Sequence, residues 1–430
     1  MAMKKLKIAF NKDIVSTIEH HLSNKEIIDR LGDLHEELSH IDQENTKLES
    51  LDKYRAQLID KKLLKNKDGG IQAFTACCLS DILRIYAPDA PYTESELTDI
   101  FKLFFTQFKM LTKPDNGYYI QQVYLLTKLV EVRSIVLITD LPQAEKLVHE
   151  LFKVFYNPEN NDFPTKLVSI ISDLLDEVIS ETDAVSVDVL KLIFNKFLTY
   201  NPHAAPKGLQ IAQDSSFQFS LHICENGSGR LGRYLTKFYT EMLYDVSRPS
   251  SSSSSRKNIQ EDENEDTNGD RTFIDEITSV SHPGYKVLTK LHTLVLNLWE
   301  YVPELVSAVS GFLNQELYST NELFRISTTK LVGDILRLKN PSLNFVTTCP
   351  EVFKAWLAKI ADSSPKVRIS WVKTLPGVLN SGSSYVDEQL CSNICQGLSK
   401  TLIDTDFKVR YISIVSIKEI NTETIWTYIK

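Results

Sequence analysis

Apolar residues recur at helical spacing along most of the chain. A capping box at residues 23–26 begins a stripe of apolar residues at i, i+3/i+4 spacing that continues to Leu38. The same kind of pattern predicts helices from about Thr46 to Lys65, from Ile71 to Tyr86, and from a second capping box at residues 93–96. Alternation with a period of two, which is typical of strands, is almost absent. The pattern therefore predicts an all-α protein.

A short motif around an arginine occurs three times towards the end of the sequence. Arg325, Arg368 and Arg410 lie 43 and then 42 residues apart, and each has an apolar or aromatic residue on both sides. A period near 42 with two helices per unit is typical of HEAT repeats. We therefore predict a HEAT-repeat solenoid of stacked helix pairs, with less regular repeats in the N-terminal part.

An acidic or hydroxyl side chain precedes each repeated arginine by six residues. These residues are Ser319, Asp362 and Asp404. Each can cap the second helix of its own repeat or accept hydrogen bonds from the arginine of a neighbouring repeat. The second arrangement predicts a ladder of arginines along the stack.

One segment interrupts the helical pattern. Residues 250–255 are all serine, and residues 261–266 are five acids and one asparagine. Such a stretch has almost no apolar surface to offset the entropy cost of ordering, so residues 247–272 are predicted to be a disordered insertion. The predicted organisation is therefore irregular helical repeats in 1–246, the insertion, and regular repeats in 273–430. A solvated loop is the simpler interpretation of the insertion, and a phosphorylation target is the alternative.

Composition excludes two broad classes of protein. Of the 430 residues, 42% are hydrophobic and 24% are charged, which is the balance of a chain that can bury a core and not of a globally disordered one. The net charge of −8 argues against a dedicated nucleic-acid-binding protein. Six cysteines without framework spacing, and no secretory signal at the start of the sequence, predict a reduced intracellular location.

No pattern for catalysis or metal binding stands out. Residues 227–232 fit G-x-G-x-x-G, but no second strand and acid follow, so we interpret these glycines as a loop between helices. Cys391 and Cys395 share a helix face without further ligands nearby, which favours buried thiols over a zinc site. The sequence thus predicts a protein that is not an enzyme and has no metal site.

The main basic cluster is formed by Lys61, Lys62 and Lys65. Lysines at the end of a helix complement the negative end of its dipole, so a solvated helix terminus is one interpretation. An anion-binding site, with an inositol phosphate as its ligand, is the alternative. No other cofactor is predicted.

The most distinctive local sequence lies between two predicted helices. It consists of Ala87, Pro88, Asp89, Ala90, Pro91 and Tyr92, and we call residues 87–92 the proline segment. The two prolines fix their own φ angles and push the preceding alanines towards extended conformations, so the segment is stiff before any ligand arrives. Asp89 offers a carboxylate to an arginine, and Tyr92 offers an amphipathic ring. From the residues alone, a rigid turn without a ligand is the alternative.

This segment and the arginine repeats closely resemble the cohesin-associated HEAT-repeat family named for precocious dissociation of sisters. The insertion and the asparagine-rich loops are similar to those of fungal members. Members of that family are much longer than this chain, so the resemblance is to an N-terminal segment.

The resemblance implies a non-enzymatic regulator of sister-chromatid cohesion that acts on chromosomes in the nucleus. It implies three partners, namely the kleisin subunit of cohesin, the release factor Wapl and the cohesin acetyltransferase. It also implies that the proline segment binds short peptides with a Tyr-Ser-Arg core. A karyopherin-like or adaptor-like transport scaffold would share the repeat period and the acidity, and is the alternative function.

Overall fold

The computed structural model describes residues 7–16, 21–157, 162–199, 214–245, 280–338, 342–381 and 388–428. Within these ranges the chain forms helices and turns, and no β-strand. It divides into two compact units, Met1–Gly227 and Ser228–Lys430, which are described separately below.

The first unit consists of helix pairs stacked in two rows. Its helices are α1 (Asn24–His40), α2 (Asp52–Leu58), α3 (Lys61–Leu64), α4 (Gly69–Tyr86), α5 (Glu94–Phe108), α6 (Tyr119–Glu131), α7 (Ala144–Phe155), α8 (Thr165–Glu181), α9 (Val187–Thr199) and α10 (Ser215–Asn226). One row runs α1, α4, α6, α8 and α10, each helix packing against the next. The other row runs α3, α5, α7 and α9, and the core lies between the two rows.

Both predicted capping boxes are present in this unit. The Ser23 hydroxyl accepts a hydrogen bond from the backbone N–H of Glu26, and the Glu26 carboxylate accepts one from the backbone N–H of Ser23 at the start of α1. Thr93 and Glu96 make the same reciprocal pair at the start of α5. The predicted helix from Thr46 to Lys65 is wrong in extent. The chain there forms a 3₁₀ turn, then α2 and α3, because Asp60 accepts a hydrogen bond from the backbone N–H of Lys62 and so caps a new helix that begins at Lys61.

Gly69 and Gly70 form the start of α4. Asp68 accepts hydrogen bonds from the backbone N–H groups of Gly70 and Ile71, so the helix begins at Gly69 rather than at Ile71. A Cβ on Gly70 would lie 2.4 Å from the hydroxyl oxygen of Tyr118. The absence of a side chain therefore permits close packing at the start of α4.

The second unit also stacks its helices in a regular row. Its helices are α11 (Ser228–Asp245), α12 (Pro283–Tyr301), α13 (Ser310–Leu317), α14 (Glu322–Arg337), α15 (Phe345–Thr348), α16 (Pro350–Leu357), α17 (Pro365–Leu379), α18 (Glu388–Thr401), α19 (Phe407–Glu419) and α20 (Thr422–Tyr428). Helices α12, α14, α17 and α19 pack successively against one another. Three of them, α14, α17 and α19, carry the repeated arginines near their starts.

The interpretation of residues 227–232 as an inter-helix loop is wrong for most of those residues. Gly227 follows α10, but Gly229 and Gly232 lie within the first turns of α11. A Cβ on Gly232 would lie 3.2 Å from the Cβ of Ala308, so this glycine allows α11 to approach the 3₁₀ helix Pro303–Val309.

These observations confirm the all-α fold and its stacked helix pairs. The predicted insertion at residues 247–272, and the predicted boundary at residue 246, lie outside the described residues. In the part of the chain that is described, none of the helices combines the length and the apolar character needed to span a lipid bilayer.

Candidate functional site

The proline segment connects α4 to α5. Ala87 follows the last residue of α4, and Thr93, which caps α5, follows Tyr92. The Ala87–Pro88 peptide bond is cis. Pro88 and Asp89 are the most exposed residues of the segment, and the other four are partly buried. The Asp89 carboxylate is therefore the side-chain charge that this turn presents to solvent.

Side chains from the preceding part of the first unit hold both ends of the segment. Gln43 donates a hydrogen bond from Nε2 to the carbonyl oxygen of Ala87 at 3.0 Å. Arg55 donates from Nη1 to the carbonyl oxygen of Pro91 at 2.7 Å. These contacts fix the backbone on either side of Asp89, so the segment is anchored at two points as well as stiffened by its prolines.

Tyr92 turns its polar end inward. Its hydroxyl is buried and has no hydrogen-bond partner among the described residues, and the same is true of Nε of Arg55. Burial raises the pKa of Tyr92, and the nearby Arg55 guanidinium only partly opposes this effect. The hydroxyl group thus remains a neutral donor beneath the segment, while only part of the ring is accessible.

Sequence reasoning missed the residues that support this segment. Gln43 and Arg55 precede their backbone partners by 44 and 36 residues. Neither belongs to a motif; Gln43 lies in the 3₁₀ turn Gln43–Asn45 and Arg55 in α2, and tertiary packing brings both to the end of α4. Local sequence contained no signal that could have identified them.

Two of the three repeated arginines form bidentate pairs with an aspartate of the next repeat. Arg325 in α14 donates from Nε and Nη2 to the two carboxylate oxygens of Asp362, at 3.0 and 3.1 Å. Arg368 in α17 makes the same pair with Asp404, at 2.8 Å for both bonds. Both pairs are largely buried, because the four side chains are at most 12% exposed.

Each arginine also binds the turn that precedes its own helix. Nη1 of Arg368 donates to the carbonyl oxygen of Asp362 at 2.8 Å, and Nη1 of Arg410 donates to that of Asp404 at 2.7 Å. Each aspartate thus accepts through its carboxylate from one arginine and through its backbone from the next. Among the described residues, Arg410 has no carboxylate partner of its own.

The three basic residues Lys61, Lys62 and Lys65 make different contacts. Lys62 donates from Nζ to the carbonyl oxygen of Ser16 at 3.0 Å and lines a cavity of about 390 Å³. Lys65 instead lies 3.7 Å from the carboxylate of Asp99, and Lys61 is exposed. Only Lys62 therefore lines this cavity, and the anion-binding role of the three lysines stays a prediction.

Comparison with known proteins identifies the chain's relatives. Residues 25–430 match the family described as "Sister chromatid cohesion protein PDS5 protein". The chain belongs to the PDS5 family. The match includes both the proline segment and the three arginine repeats, so the resemblance expected from these residues is confirmed.

Individual PDS5 relatives agree with this assignment. Sister chromatid cohesion protein PDS5 of Saccharomyces cerevisiae is 48% identical over 98% of this chain, and that of Schizosaccharomyces pombe is 28% identical over 97%. These matches cover 30% and 32% of the relatives, so the chain spans about a third of their length.

A solved PDS5 structure has the same fold. It is described as "Structure of the Pds5-Scc1 complex and implications for cohesin function", and it superposes with a TM-score of 0.85 and 46% sequence identity. The superposition covers 99% of this chain and 59% of that one.

The described part of this PDS5 chain offers no group of three or more His, Cys, Asp or Glu side chains that could hold a metal ion. All six cysteines are reduced and buried, which confirms the interpretation of Cys391 and Cys395 as core thiols. Burial raises the pKa of Cys395 to about 11, so this thiol remains protonated near neutral pH.

Proposed function

We propose that this chain is a non-enzymatic scaffold that binds cohesin and its regulators and so controls sister-chromatid cohesion on chromosomes in the nucleus. The observation that carries this proposal is the PDS5 family match over residues 25–430. The two relatives that match nearly the whole of this chain are sister chromatid cohesion proteins. A transport scaffold, which the repeat period alone would allow, has no comparable support.

The partner with the most direct support is the kleisin subunit of cohesin. The related Pds5 structure, 46% identical to this chain, is that of a complex with Scc1. The release factor Wapl and the cohesin acetyltransferase are further proposed partners, implied by the family. A stack of helix pairs suits such a role because each repeat exposes its own surface, so that several partners can bind at separate repeats.

Binding to the kleisin can be measured directly. Purified chain is titrated with a purified kleisin segment by calorimetry, and a small GTPase of the transport type serves as the control ligand. We expect saturable binding to the kleisin and none to the GTPase. Absence of kleisin binding would exclude this segment as a kleisin-binding scaffold, and binding to the GTPase would favour the transport function.

Within this function, the proline segment binds peptides with a Tyr-Ser-Arg core. Asp89 supports this role because its exposed carboxylate can pair with the peptide arginine. The anchored ends support it because a segment that is already ordered loses little entropy on binding.

A charge reversal tests the role of Asp89. Asp89→Lys should weaken binding of a fluorescent Tyr-Ser-Arg peptide at least tenfold, or about 1.4 kcal/mol, because attraction becomes repulsion. Asp115→Lys, which reverses another exposed carboxylate of the first unit, is the matched control. Equal affinities for Asp89→Lys and the unmodified chain would mean that the peptide binds elsewhere.

A further inference from the structure

A second candidate binding surface lies in the first unit, away from the proline segment. A cleft of about 600 Å³ opens where α5 and α7 end, and α9 closes one side of it. Its apolar lining includes Phe105, Val154 and Tyr156, which are 4%, 6% and 4% exposed, and Leu192. The cleft therefore has an apolar floor that is open to solvent at its rim.

Three lysines surround this floor. Lys102, Lys109 and Lys153 line the cleft and are exposed, and none forms an ion pair within the described part of the chain. Several other lysines of the same unit are paired, among them Lys53, which lies 2.7 Å from Asp13, and Lys128, which lies 2.7 Å from Glu131.

The cleft thus combines positive charge with apolar surface. Glu150 is the single acidic residue among those that line it. Three cations without an ion-pair partner among the described residues line this cleft, in a chain whose net charge is −8, so the charge of its lining is opposite in sign to that of the protein as a whole.

Compensation of helix dipoles accounts for only part of this arrangement. Lys109 caps the end of α5 and Lys153 lies in the last turn of α7, where positive charge is favourable. Lys102 lies further back in α5, and dipole compensation requires no apolar cavity beside the lysines.

We propose that this cleft binds an acidic peptide that inserts an apolar side chain. The carboxylates would pair with the three lysines, and the apolar side chain would cover Phe105 and Val154. A compact phosphate ligand fits less well, because it has no apolar group to place on Phe105 and Val154. Such a ligand would leave the apolar floor uncovered.

The test uses the 430-residue chain and fluorescent hexapeptides. The probe is Glu-Asp-Leu-Phe-Asp-Glu. The control Glu-Asp-Ser-Ser-Asp-Glu lacks the apolar anchor, and the control Gln-Asn-Leu-Phe-Asn-Gln lacks the negative charge. We expect anisotropy to show saturable binding of the probe and at least tenfold weaker binding of either control peptide. If the anisotropy of the probe does not reach saturation at protein concentrations up to about 1 mM, the proposal is wrong.

Matched variants locate the site. The triple variant Lys102→Glu, Lys109→Glu, Lys153→Glu should bind the probe at least tenfold more weakly than the unmodified chain does. Reversal of three exposed lysines outside the cleft, Lys25, Lys47 and Lys67, changes the net charge equally and should change affinity less than twofold. Circular dichroism confirms that both variants remain folded.

Two further outcomes would contradict the proposal. Equal losses in the two triple variants would show that the probe responds to overall charge and not to this cleft. The proposal would also fail if the peptide without Leu-Phe bound as tightly as the probe and sodium triphosphate displaced the bound probe. That result would show that the cleft binds compact polyanions rather than a peptide with an apolar anchor.

Discussion

At the scale of single residues, two glycines in the second unit differ in what surrounds them. A Cβ on Gly333, in α14, would lie 2.3 Å from the Cβ of Thr374 in α17. A Cβ on Gly311, in α13, would meet no atom within 4 Å. The helix row therefore depends on the missing side chain at Gly333, and not at Gly311.

These surroundings predict opposite effects of the same substitution. Gly333→Ala should lower the free energy of unfolding by about 1–3 kcal/mol, because forced separation of the helices outweighs the gain in helix propensity. Gly311→Ala should raise it by about 0.5–1 kcal/mol, since it gains propensity without a clash. Urea denaturation measures both, and stabilisation by Gly333→Ala would show that α14 and α17 can separate at little cost.

At the scale of elements, caps and periodicity allowed several helices to be predicted. Ser23 and Thr93 identified the starts of α1 and α5 because a capping box is a local motif. Helix bounds were predicted wrongly where an unrecognised cap or tertiary packing determines them. Asp60 is such a cap and starts a new helix, and Gly232 lies inside a helix although glycines there were interpreted as a loop. The proline segment could be identified from its own sequence, but Gln43 and Arg55, which anchor its two ends, could not, because they are distant in sequence.

The arginine ladder connects elements of neighbouring repeats, and its members can be compared directly. Arg368→Ala should lower the free energy of unfolding by roughly 2 kcal/mol, because it leaves the buried carboxylate of Asp404 without its bidentate donor. Arg410→Ala should cost less, since Arg410 donates only to backbone carbonyls in the described structure. Chemical denaturation measures both variants, and equal costs would mean that the carboxylate pair adds little.

An exposed ion pair provides the control for this comparison. Lys354 and Glu351 lie 3.0 Å apart, but their side chains are 70% and 72% exposed. Solvent screens such a pair, so Lys354→Ala should change the free energy of unfolding by less than about 0.5 kcal/mol.

The same ladder predicts a dependence of stability on pH. Hydrogen bonds from the Arg368 guanidinium hold the pKa of Asp404 below its usual value of 3.8. A carboxylate with a lowered pKa stabilises the folded state above its unfolded pKa, and this contribution is lost as pH falls through the folded pKa. The stability difference between the unmodified chain and Asp404→Asn should be constant between about pH 5 and 7 and shrink below about pH 4.

Denaturation series at several pH values measure this difference. Glu351→Gln, at a carboxylate that is 72% exposed, serves as the control and should show a much smaller change. A difference that persists undiminished in acid would mean that the Asp404 charge is not what stabilises the ladder.

At the scale of the whole molecule, negative charge is concentrated in one stretch of sequence. Residues 249–270 contain six acidic and two basic residues, so they contribute −4 to the net charge of −8. Ile259 is the single large aliphatic or aromatic residue among them. By composition, this stretch contributes strongly to the electrostatics of the chain and almost nothing to a hydrophobic core.

Deleting residues 249–270 should therefore change the charge of the protein without changing its stability. The melting temperature should stay nearly constant, because the stretch has little apolar surface to bury and loop length affects stability only weakly. Elution from an anion exchanger should move to lower salt, since half of the net negative charge is removed. Replacement by a Gly-Ser linker of equal length separates the effect of loop length from that of composition. If the deletion and the linker variant both melt many degrees lower, the acidic stretch packs against the helices and its composition is a poor guide to its role.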